Sequence, residues 1–123
     1  MPAQYDMFSA VCVTRQIISR ILDKWTILVI AALAERPYHF GELRRKIDCI
    51  SQKMLTQTLR KLESDGLVDR TIVPGTVVKV TYTLTPLGKT LVVPLSGLQQ
   101  WTIAHAEELE AFRTKTTETA TLA

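Results

Sequence analysis

The hydrophobic period of this 123-residue chain changes at Gly66. Before it, apolar residues recur every three or four positions; after it they alternate. Leu55, Leu59 and Leu62 share one narrow arc at about 100° per residue, so Gln52 to Ser64 reads as a helix with a single apolar face. Ser51 is a suitable N-cap, and Gly66 a left-handed stop. Leu67 to Val73 and Val77 to Leu84 are β-branched runs separated by Pro74-Gly75, which predicts a hairpin. A polar-faced helix followed directly by a hairpin leaves few architectures open.

Upstream, Ile17, Ile18, Ile21 and Leu22 predict a first helix over about Val13 to Leu22. Asp23 can cap a second, with an apolar stripe of Trp25, Leu28, Val29, Ala32 and Leu33, ending near Glu35 before Pro37. A short third helix, about Gly41 to Ile47, buries Leu43 and Ile47. The turn Asp48-Cys49-Ile50 then gives helix-turn-helix spacing to the helix beyond it. Downstream, Thr85 and Pro86 restart helix as N-cap and first position. Leu91, Val92, Leu95, Leu98, Trp101 and Ile103 carry it to about Phe112, with Pro94 expected to kink or divide it.

The expected fold is α+β and mostly helical: a winged helix-turn-helix with added N- and C-terminal helices. One domain covers residues 1–113, and residues 114–123 are a frayed tail. The terminal helices, about 13–22 and 86–112, carry more apolar stripe than one winged helix covers, which points to a homodimer.

Charge narrows the partner. From Arg36 to Lys61 there are seven basic residues against Glu42 and Asp48, a surplus of five, whereas the whole chain carries only +3. A concentrated basic segment suits a polyanion, although a solvated helix face has the same composition. On the predicted fourth helix, Ser51, Gln52, Lys53, Thr56 and Gln57 mix short donors and acceptors with charge, as base edges in a major groove require. Arg60, and Lys79 on the wing, are placed for phosphates. The expected partner is a double-stranded DNA operator, and a protein-interaction winged helix without operator specificity stands as the alternative. No nucleophile elbow, phosphate loop or paired-acid motif supports an enzyme, and no cofactor is expected. Cys12, Cys49, His39 and His105 have no zinc spacing, so no metal site is expected. No apolar run is long enough for a bilayer and the N-terminus lacks a secretion pattern, so the expected location is cytoplasmic, without a membrane partner.

Several motifs in register make the chain resemble the HxlR family of winged helix-turn-helix regulators, relatives of the MarR type. They include Asp23-Lys24-Trp25-Thr26, Phe40-Gly41-Glu42-Leu43, Ile50 to Leu59, Leu62 to Val68, and Val80 to Gly88 with Trp101. The family pattern carries Arg where His39 stands, Pro where Val13 stands, and Val-Glu-Tyr where this chain has Val80-Thr81-Tyr82. The changes at His39 and Thr81 remove an ion pair between helix and wing, which implies a looser wing.

The resemblance also bears on the thiols. Cys12 begins the first helix, where the positive end of the helix dipole favours negative charge, and Arg15 lies one turn on. Redox-sensing members of the similar family use a cysteine at this N-terminal position. In some, that thiol pairs with a second cysteine of the other subunit, which here implies Cys12 of one protomer with Cys49 of its partner. Two inert small side chains, or a small-molecule effector acting on the same fold, remain the alternatives.

Overall fold

Each helix begins where a side chain satisfies an otherwise free backbone amide, a short N-cap side chain in every case but α3. Cys12 Sγ accepts from the Arg15 amide at 3.3 Å to start α1 (Val13–Ile21). Asp23 Oδ1 accepts from Thr26 at 2.9 Å to start α2 (Lys24–Glu35). Ahead of α3 (Phe40–Lys46), the Glu42 carboxylate reaches back to accept from the His39 amide at 2.9 Å. Ser51 Oγ accepts from Met54 at 3.0 Å for α4 (Gln52–Ser64), and Thr85 Oγ1 from Gly88 at 3.0 Å for α5 (Pro86–Leu122). The structure, a computed structural model, describes residues 5–122, with side chains through residue 116.

Three antiparallel strands, β1 (Tyr38–His39), β2 (Val68–Val73) and β3 (Lys79–Leu84), form a sheet in the order β1-β3-β2. The hairpin register runs from Val68 opposite Leu84 to Val73 opposite Lys79. Its strands are shorter than expected, because Val77 and Val78 belong to the exposed turn. β1 was not expected at all, since two residues are too few to show alternation. It pairs Tyr38 with Tyr82 and His39 with Thr81, and a hydrogen bond of 3.1 Å joins His39 Nδ1 to Thr81 Oγ1. Where the ion pair between helix and wing was expected to be lost, a hydrogen bond joins the same two positions.

The core gathers Val29, Ile30 and Leu33 of α2, Leu43 of α3, Leu55, Leu59 and Leu62 of α4, and Val68, Tyr82 and Leu84 of the sheet. α2 packs on α4 and β3, and α4 on β2. The buried face of α2 differs from the expected stripe. Leu28 is 41% exposed and Trp25 only half-buried, while Thr26 and Ile30 are fully buried. Thr26 tolerates burial because Asp23 accepts from both its amide and its hydroxyl.

The chain divides between Val92 and Val93 into two compact units. At the end of the first, a Cβ on Gly88 would collide with the Leu67 carbonyl, so the first turn of α5 seats on the entry to the wing only because residue 88 is glycine. Thr85 reinforces that junction, its amide donating to Leu67 O and its hydroxyl to Gly66 O. In the second unit, α5 is neither divided at Pro94 nor ended near Phe112. Proline removes one donor and leaves the rest of a 37-residue helix intact. Trp101 is half-exposed and stacks on His105, ring centroids 4.9 Å apart.

Candidate nucleic-acid interface

The helix-turn-helix is α3, a five-residue turn and α4. Ile47 and Ile50 are buried on either side of the turn and fix its depth. Between them Cys49 takes the left-handed conformation, with φ of 69°, which lets so short a link reverse direction. The leucine face of α4 is spent on the core. Its other face leaves Ser51, Gln52, Lys53, Gln57 and Arg60 exposed and Thr56 half-buried. Thr58, by contrast, is buried and donates to the Met54 carbonyl.

Ion pairing sorts the basic segment into two groups, which its sequence could not do. Arg36 binds Glu42 at 3.1 Å, Lys46 binds Glu35 at 3.4 Å, and Lys61 binds Asp23 at 2.6 Å. Those three cations serve the fold. Arg44, Arg45, Lys53 and Arg60 are exposed and, among the described residues, have no carboxylate partner. On the wing, Lys79 is exposed and likewise unpaired, whereas Arg70 is drawn to Glu63 of α4 at 3.7 Å. Arg44 and Arg45 were not among the candidate contact residues. Their signal was the Arg-Arg-Lys run of α3, legible only once Lys46 is seen to be taken by Glu35.

The carboxylates that hold the folding cations ionise readily. The Tyr38 hydroxyl, then Lys46, holds Glu35 below the usual carboxylate range, and the His39 amide, then Arg36, does so for Glu42. For Asp23 partial burial works the other way, but Lys61 and the two Thr26 donors outweigh it and the net shift is downward.

The two thiols stand in opposite surroundings. Cys12 is fully buried, its sulfur 3.2 Å from Thr14 Oγ1 as well as bonded to the Arg15 amide. Cys49 is exposed, two residues before the Ser51 cap. Both are free.

Residues 20–110 match the model of the HxlR-like helix-turn-helix family. The chain belongs to that family. Over 108 residues it is 35% identical to YtfH of Escherichia coli, an uncharacterized HTH-type transcriptional regulator, with 88% of this chain and 86% of the relative covered. Among solved structures it resembles the regulator ytfH from Salmonella typhimurium, at TM-score 0.81 and 32% identity, covering 89% of this chain and 97% of the other. It also resembles the redox regulator HypR in its reduced form, at TM-score 0.75 and 31% identity, covering 80% and 98%. The fold is the winged helix of MarR-like regulators, and this HxlR-family chain is a transcriptional regulator. No described helix is long and apolar enough to cross a membrane.

Proposed function

We propose that this regulator binds a specific double-stranded DNA operator in the cytoplasm as a homodimer and that its thiols tune that binding. The observation that carries the DNA reading is the set of unpaired cations around the polar face of α4. Four exposed basic side chains on α3 and α4, and one on the wing, have no carboxylate partner among the described residues, so each is available to phosphate. Beside them Gln52, Thr56 and Gln57 supply the short donors and acceptors that distinguish base pairs in a major groove. A protein-docking face would more often offer aromatic or aliphatic anchors, and this face has none. Arg44 and Arg45 join Arg60 and Lys79 as phosphate contacts in this reading, because the helix before a recognition helix crosses the backbone.

Two uncovered apolar surfaces support the dimer. Ile17, Ile21, Leu67, Leu87 and Leu91 line a mainly apolar hollow of about 360 Å³ in the first unit, with Arg20, Asp65 and Thr90 also at its wall. In the second, Leu98, Trp101, Ile103 and Phe112 are all exposed along α5. Redox control draws on the likeness to HypR and on the exposed thiol beside the recognition helix. Because Cys12 is fully buried, its disulfide with the partner's Cys49 forms only when the segment over Cys12 opens; the bond releases two protons and two electrons, which an azo oxidant such as diamide takes up.

The test uses a duplex enriched by this protein from a random-sequence library. Arg60→Ala should weaken every duplex alike, while Gln57→Ala should relax preference at one base pair, at a cost of about 1–3 kcal/mol. Unchanged binding in both variants would remove α4 from the groove.

A further inference from the structure

Lys61 lies on the recognition helix but is turned away from the unpaired cations. Its ammonium donates to Asp23 Oδ2 at 2.6 Å and to the Arg20 carbonyl at 2.8 Å, bridging the end of α1 and the cap of α2. Arg20 completes a ring by binding Asp65, the C-cap of α4, at 2.6 Å. Four residues drawn from α1, the α1–α2 junction and α4 with its C-cap therefore tie the end of α1 and the cap of α2 to the C-terminal end of α4. The base-reading side chains sit at its other end. Leu55, Leu59 and Leu62 seat α4 in the core along its length, and the ring fixes its C-terminal end against α1, so a shift of the ring resets the whole helix, Gln52 and Gln57 included.

We propose that Lys61, Asp23, Arg20 and Asp65 are positioning residues that set the angle at which α4 meets the operator, and that α1 steers α4 through them. The inference rests on the DNA reading above and assigns none of the four a contact with DNA. Lys61 belongs to the basic segment by sequence, so the competing role is a phosphate contact, and the two differ in what they do to salt dependence and to non-specific binding. A phosphate contact weakens all DNA and lowers the log–log salt slope by about 0.9. A positioning residue weakens only the docked, specific complex.

The experiment measures affinity of the full chain for its enriched duplex and for poly(dI-dC) across a salt series. Wild type is compared with Lys61→Met, which keeps the aliphatic stem, and with Asp65→Asn, which alters the ring without removing any basic residue. Both variants should lose roughly fivefold or more for the enriched duplex, with poly(dI-dC) binding and the salt slope unchanged. Thermal melting of each variant shows that it is folded, and the Asp65→Asn variant carries the test if Lys61→Met is not. A reduced slope with both DNAs weakened would make Lys61 a phosphate contact and overturn the inference. Unchanged affinity in the folded variants would overturn it too, leaving the ring a purely structural tie. Wild type that enriches no duplex would overturn the DNA reading itself, and that failure shows before any substitution is made.

Discussion

Cys12 and Cys49 share a side chain but not an environment: one caps a helix from inside the fold, the other bends a turn in solvent. Alkylation of the native protein should therefore label Cys49 at least about tenfold faster than Cys12, because a buried thiol reacts only when the segment over it opens. Mass spectrometry after timed exposure to iodoacetamide checks this, and equal rates would mean that Cys12 is not enclosed in solution. Cys49 also bears the cost of a left-handed conformation, which for an L-residue is of order 1–2 kcal/mol. Cys49→Gly should raise stability by about 0.5–1 kcal/mol, as glycine relieves that strain and gives part of it back in unfolded-state entropy. Urea denaturation measures the difference, and a loss of stability would show that the sulfur packs usefully in the turn.

At the scale of elements, α4 is the best-determined piece, and its boundaries, cap and buried leucines were all legible in the sequence. Leucine spacing decided them, since no neighbour was needed to say which face would be buried. Leu55→Ala, at a fully buried site, should cost about 2–5 kcal/mol. Gly88→Ala should cost about 1–3 kcal/mol by forcing α5 off the Leu67 carbonyl. Both are read from denaturant midpoints, and a neutral Gly88→Ala would contradict the close approach. Other elements hid because a distant partner defines them. β1 exists only as the strand that β3 recruits, and the buried face of α2 depends on Asp23 satisfying Thr26. Likewise, no local pattern shows which Arg and Lys side chains find carboxylates; Glu35, Glu42 and Asp23 decide that across turns and between helices. The Asp23 pairing has a pH signature. Its carboxyl titrates below its unfolded value, so its contribution is complete above about pH 4 and is lost as pH falls through the lower folded value. The stability gap between wild type and Asp23→Asn should narrow below that pH, whereas a constant gap would mean the cap works without charge.

For the molecule as a whole, the exposed apolar side chains of α1 and α5 and the unpaired cations of α3 and α4 ask for two different partners, a second copy and a polyanion. The proposed two-fold dimer meets the first need by covering the apolar surface, and it presents the cationic surface twice to the second partner. Sedimentation at micromolar concentration should give a dimer, and Trp101→Ala with Leu98→Ala should shift it toward monomer; an unaltered dimer would move the interface off α5. The central claim is that two copies of α4 enter successive major grooves. Hydroxyl-radical footprinting on the enriched duplex tests it most directly. Two protected patches related by a dyad are expected, with centres one helical turn apart, about 34–36 Å, and both should need more protein to appear in Arg60→Ala. A single patch, or protection that ignores sequence and is unaltered by that substitution, would contradict it.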